Sequence, residues 1–196
     1  MKIYVALPVV AFWLTGTVYA FWFFQFRNLQ SFSEGAGQNF YEETLVRNFK
    51  NPAVKNFVKG FSADVLVIHY IDERCLCSKF TRSHVESLKN QYKNKNIVFI
   101  DALTYRTESI SRENLAREIK DVLKLDHLPA TPAVAVFSGE GSLAYFGPYS
   151  DDAVCGSSGN SFAESSINRV LSGNKITDIN MLAFGCFCRN QQEIYI

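Results

Sequence analysis

The chain carries almost no net charge: 20 Lys+Arg against 19 Asp+Glu leave a formal +1. A field that weak does not gather phosphate backbones, which sets nucleic acid aside as a partner. Glycine loops ending in Lys-Ser/Thr are missing, as are Gly-x-Ser-x-Gly and His-Glu-x-x-His. P-loop nucleotide chemistry, serine-hydrolase chemistry and zincin-type proteolysis therefore have no motif to rest on. Internal repeats and long low-complexity tracts are also lacking. What remains is a chain of 196 residues, 47% hydrophobic and 20% charged. That composition folds and buries a core, and the length suits one domain plus an appendage.

The first local absence is charge. No residue from 3 to 24 is ionisable as Asp, Glu, Lys or Arg. About 22 residues at ~1.5 Å each reach about 33 Å, enough for a bilayer's hydrocarbon core. Trp13, Tyr19 and Trp22 supply rings suited to the membrane interface. Residues 1–27 are therefore read as a single-pass anchor. A cleaved signal peptide is the alternative, since Val18-Tyr19-Ala20 loosely resembles a small-residue cleavage site, but the apolar run continues past it. Lys2 and Arg27 flank the span and fix its orientation only weakly.

Residues 28–38 read as a linker broken by Gly35 and Gly37. Phe40, Leu45 and Phe49, then Val54, Phe57, Val58 and Phe61, predict short amphipathic helices separated by Pro52. Together, residues 28–61 form a linker with short helices. From residue 62 to 172 a regular alternation follows. Apolar, β-branched runs at 65–70 and 97–101 read as buried strands. Thr81, Val85, Leu88 and Tyr92 mark one helix, and Leu115, Ile119, Val122 and Leu123 another. Strands at 132–137 and 143–146 flank a Gly139–Ser142 turn. Ser161 and Glu164 form a capping box for a helix that Gly173 ends. This order predicts an α/β domain, a mixed sheet covered by helices, with a tail over 173–196.

The five cysteines are Cys75, Cys77, Cys155, Cys186 and Cys188. An odd number leaves one unpaired or exchanging partners. Cys75 follows the first core strand and opens a helix. Helix N-termini present unpaired N–H groups and partial positive charge, which favour the thiolate, and Arg74 and Lys79 add charge. The thiolate is the nucleophile of disulfide exchange. Two readings of Cys75 and Cys77 follow directly: a redox pair, or small buried residues. A Cys75–Cys77 disulfide would close a very small ring and strain the i, i+2 geometry. Alternatively Cys75 attacks and Cys155, Cys186 or Cys188 resolves. A bridge from Cys155 to Cys186 or Cys188 would staple the tail and leave Cys75 and Cys77 as the working pair.

A strand, cysteines opening a helix, and later Thr131-Pro132 opening another strand resemble the thioredoxin-like superfamily. The wider order CLCSK, TPAVAVF, GPYS, Cys155 and GCFC also resembles an uncharacterised bacterial family of membrane-anchored thioredoxin-like proteins. The resemblance implies a thioredoxin-like mixed sheet over residues 62–172, preceded by the transmembrane helix. It implies that Pro132 is cis and that Thr131 and Pro132 face Cys75 and shape a substrate groove. The family's second cysteine falls on Ser78, its tryptophan on Arg74 and its buried acid on His69, so each departs from the usual pattern. His69 is then either a proton acceptor near the thiols or a structural histidine.

The expected function is thiol–disulfide exchange on cysteine-bearing proteins or small thiols, with no cofactor. The soluble domain would face the periplasm from the inner membrane, where disulfides persist. The competing expectation is a copper or zinc module using Cys75, Cys77 and His84, whose soft thiolates suit such ions, although Cys-x-Cys lacks the usual zinc spacing. A redox-inactive interaction domain is the third.

Overall fold

A computed structural model describes residues 3–33, 50–103, 128–150 and 161–189. The predicted segments around Phe40–Phe49 and Leu115–Leu123 lie outside these residues. An apolar helix, α1 (Ile3–Asn28), runs straight into a short strand, β1 (Leu29–Ser31). Helix α2 (Pro52–Lys59) starts at Pro52, whose missing N–H costs nothing in a first turn, with Asn51 Oδ1 accepting from the Ala53 N–H at 3.0 Å.

The central sheet begins with β2 (Val65–Ile71), buried along its whole length. After helix α3 (Leu76–Gln91), β3 (Ile97–Leu103) pairs parallel to β2. Following β4 (Ala130–Thr131) come β5 (Ala133–Ser138), antiparallel to β2, and β6 (Leu143–Gly147), antiparallel to β5. Helix α4 (Phe162–Leu171) carries the expected cap, with Ser161 Oγ accepting from the Glu164 N–H at 3.2 Å. The described residues close with β7 (Asp178–Ile179), β8 (Phe184–Cys186) and β9 (Cys188–Arg189). The main sheet has the order β3-β2-β5-β6-β7. This is a mixed α/β sheet flanked by helices, as the residue pattern predicts.

Successive strand residues point to opposite faces, and β2 shows the consequence. Leu66, Ile68 and Tyr70 join one core with Val54 and Phe57 of α2, Phe146, and Phe187 of the tail. Val65 and Val67 join the other with Val85 and Leu88 of α3 and Ala163 and Ile167 of α4. A sheet buried on both faces explains why its strands read as nearly continuous apolar runs.

Two boundaries differ from the sequence expectation. Residues 29–33, read as linker, are part of the fold: β1 pairs antiparallel with β8 in the register Leu29↔Cys186, and Phe32 is fully buried. Three residues are too few to show a period, and their partner lies near the other end of the chain. The tail is likewise no appendage. β7 joins the main sheet beside β6, and β8 and β9 pair elsewhere.

His69 sits in β2 on the α3 and α4 side, completely buried. Its ring is stacked between Phe99 (5.7 Å) and Tyr149 (5.6 Å), and Nδ1 is hydrogen bonded with the Tyr149 hydroxyl. Nε2 has no hydrogen-bond partner among the described residues. Burial is the main cause that pushes its pKa down to about 3, with Lys89 and His84 adding to the effect and Asp101 opposing it. The histidine is therefore neutral and packed as an aromatic plate. In the unfolded chain it titrates near 6.5. Between those values the unfolded state binds the extra proton, so stability is complete above pH 6.5 and falls as pH drops towards 3. The loss is up to about 1.4 kcal/mol per unit. Urea melts at pH 7 and pH 5 check this. His69→Phe should lower stability at pH 7 but flatten the decline, and an unchanged slope would remove His69 as its source.

Candidate redox site

Cys75 is the N-cap of α3, with extended backbone at φ −78° and ψ 121°. Its N–H donates to the Asp72 carbonyl at 3.0 Å and its own carbonyl accepts from the Lys79 N–H at 3.3 Å. The turn before it is tied by Asp72. Oδ1 accepts from the Arg74 N–H at 2.9 Å, and the Asp72 N–H donates to Ser78 Oγ at 3.3 Å. Ser78 is thus a buried brace of the turn, and the exposed Arg74 guanidinium pairs with Asp72 at 3.4 Å. An N-cap side chain is placed to accept from the amides two and three residues on, here Cys77 and Ser78. Cys75 Sγ makes no such bond, because it is covalently bonded elsewhere.

The disulfides are Cys75–Cys188, with Cα atoms 5.8 Å apart, and Cys77–Cys186, with Cα atoms 5.6 Å apart. Both separations are ordinary for a disulfide. This corrects the expected Cys75–Cys77 pair. The Cys75 and Cys77 sulfurs lie close together, yet each is bonded to a separate tail cysteine. It also corrects the expected bridge from Cys155 to the tail, since both tail cysteines are taken up by α3. Cys155 itself lies outside the described residues.

Alternation explains why the tail supplies two sulfurs at once. In an extended segment, residues two apart share a side. Cys186 and Cys188 both meet the start of α3, while Phe187 goes the other way, against Phe32 with ring centroids 5.2 Å apart. Phe187 is 6% exposed and fills the core under α2. Sequence reasoning missed this peg. The alternating Cys-Phe-Cys was its only signal, and it is too short to be read as a strand.

Thr131 and Pro132 stand opposite. The Thr131-Pro132 bond is cis. The Thr131 carbonyl is 3.8 Å from Cys75 Sγ, and β4 pairs antiparallel with β9 in the register Thr131↔Cys188. Cys75, Cys77, Cys186, Cys188, Thr131 and Pro132 are therefore gathered at one end of α3. His84 is not with them. Its Nε2 is 3.2 Å from Ser161 Oγ and its ring meets Tyr149 edge-on. The sulfurs of Cys75, Cys77 and Cys188 lie within 4.8 Å of one another, a soft-ligand group without His84.

A cysteine at a helix start facing a cis-proline turn, on a mixed sheet covered by helices, is a thioredoxin-like arrangement. Solved structures with a similar fold include a hypothetical protein from Sinorhizobium meliloti 1021, at 15% identity and a TM-score of 0.50 over 69% of this chain and 83% of that one. An uncharacterised conserved protein from Geobacillus kaustophilus gives 0.43 at 18% identity, over 64% and 77%. A thioredoxin-like protein solved in its oxidised form gives 0.38 at 20% identity, over 57% and 80%. Of these, only the first reaches a TM-score of 0.50, and at 15% identity that likeness concerns the fold alone. No curated protein sequence matches the chain. The model of a domain family of unknown function, DUF6436, matches residues 46–190, which span α2 and the thioredoxin-like sheet and reach the tail strands, so the chain belongs to that family.

Proposed function

We propose that the protein is a membrane-tethered thiol–disulfide exchange protein whose working couple is Cys75–Cys188. The observation that carries this reading is the Cys75–Cys188 disulfide at the N-cap of α3, with Cys75 Sγ against Thr131. When this disulfide opens, Cys75 is left as a thiolate at the helix start, where N–H groups and the helix dipole stabilise it. Written in full, the oxidised protein and a client dithiol give two protein thiols and a client disulfide. Two electrons and two protons pass from the client to Cys75 and Cys188. Clients are cysteine-bearing proteins or small thiols. Cys77–Cys186 is the staple that holds the tail in place, since β8 is also held by β1.

The tether is α1, whose segment Ala6–Phe23 has a mean hydropathy of 1.5 and is long and apolar enough to cross a membrane. A signal sequence would pass the same test. Supporting an anchor is the absence of slack: α1 ends at Asn28 and β1 begins at Leu29, which pairs with Cys186. Six residues at ~1.5 Å and one strand spacing of about 5 Å hold the Cys186 backbone within about 15 Å of the apolar segment's end. Exchange would then take place close to the membrane surface, on the periplasmic side of the inner membrane, where disulfides persist.

The test is electron uptake from dithiothreitol by the full-length oxidised protein in detergent. Cys75→Ser should slow uptake at least about a hundredfold, because the Cys75–Cys188 disulfide that dithiothreitol attacks can no longer form. Wild-type rates in the variant would sink the reading.

A second reading keeps the same cysteines. Once reduced, Cys75, Cys77 and Cys188 offer three clustered thiolates, a donor set suited to Cu(I) or zinc. The group would be held by those sulfurs and would make the site a metal-delivery centre. Under this reading the fully reduced protein takes up one equivalent of metal, which shields the three thiols from alkylation, and His84→Ala binds equally well. Unchanged alkylation with Cu(I) or zinc present would remove it.

A further inference from the structure

We infer that Cys188, not Cys75, is the sulfur that meets the client, and that Cys75 is the leaving and closing sulfur behind it. The inference rests on the exchange reading above and deepens it. Displacement at a disulfide sulfur is in line: the incoming thiolate must approach one sulfur from the side opposite the other. Cys75 is only 3% exposed, covered by the tail, with the Thr131 carbonyl beside its sulfur. With so little of Cys75 exposed, an external thiolate reaches that residue less readily than Cys188. Cys188 is half-buried, on the two-residue strand β9.

Leaving-group chemistry points the same way. The sulfur with the better-stabilised thiolate departs more readily. Cys75 at the N-cap of α3 has the Cys77 and Ser78 amides ahead of it, whereas Cys188 sits in a short strand. Attack at Cys188 therefore forms the client–Cys188 bond and breaks Cys75–Cys188, and the electron pair goes to Cys75. A second client thiolate then attacks the client sulfur of the mixed disulfide. It forms the client disulfide and releases the Cys188 thiolate, which takes up a proton. Microscopic reversibility gives the other direction: Cys188 attacks a client disulfide, and Cys75 closes on Cys188 to release the client.

The experiment uses the full-length oxidised protein in detergent with substoichiometric glutathione, acid quenching, maleimide labelling and peptide mapping. The expected first product carries glutathione on Cys188 and maleimide on Cys75, at least about tenfold over the opposite isomer, because access and leaving group favour the same one. Glutathione on Cys75 with Cys188 labelled would overturn the inference and leave the exchange reading standing. Glutathione on Cys186 with Cys77 labelled would also overturn it, by moving reaction to the second disulfide. No adduct at any of the four sulfurs would remove both the inference and the exchange reading.

Discussion

The structure around the site depends on the alternation of three residues, Cys186, Phe187 and Cys188. An extended chain sends neighbours to opposite sides. Here one side carries two sulfurs to the start of α3 and the other drives a phenyl ring into the core. Burial of one such ring stabilises by roughly 1.5–3 kcal/mol. The covalent links and the apolar peg thus reinforce a single register. A shift by one residue would put Phe187 at the helix start and the sulfurs in the core. The tail's position is therefore fixed by side-chain alternation as well as by its bonds.

That register determines what the helix start can do. A cysteine at an N-cap is pre-set as a good thiolate by the amides ahead of it. With the tail across it, the Cys75 sulfur is buried and bonded, and Thr131 is engaged in a ladder with Cys188. The inferred division of reactivity and access between two residues on different elements follows from this cover. His69 contributes through packing: burial keeps its ring neutral and stacked between Phe99 and Tyr149.

The sheet was legible in the sequence because its strands are buried on both faces and their apolar runs are long. β2, β3, β5 and β6 fall where the runs fall, and the Ser161–Glu164 cap marks α4. The proline opposite the cysteine was legible through resemblance, on the order of short motifs. The pairing of the cysteines was not. Spacing along the chain placed Cys75 nearest Cys77, but the bonded partners are separated by 113 and 109 residues, a distance no local pattern spans. Nor were β1, β7, β8 and β9 legible, since strands of two or three residues carry no period and exist through their partners. The metal alternative shows the same limit: helix periodicity brought His84 to the face of Cys77, whereas the fold turns its ring to Ser161 and Tyr149.

The two disulfides are chemically alike but differently supported, which suits them to unequal roles in the proposed exchange. β9 is two residues long, and backbone hydrogen bonds contribute only about 1 kcal/mol each net of water. When Cys75–Cys188 opens, that short ladder is the main hold on Cys188 against β4 among the described residues. Cys186, two residues away, remains bonded to Cys77 and paired with Leu29, and Phe187 remains in the core. In the proposed exchange Cys188 would thus be free to turn towards a client yet stay near Cys75. A tether that short holds the effective concentration of the closing thiol in the millimolar range or above. In the proposed exchange, the staple would thus keep the working disulfide reversible: it supplies the partner without locking it.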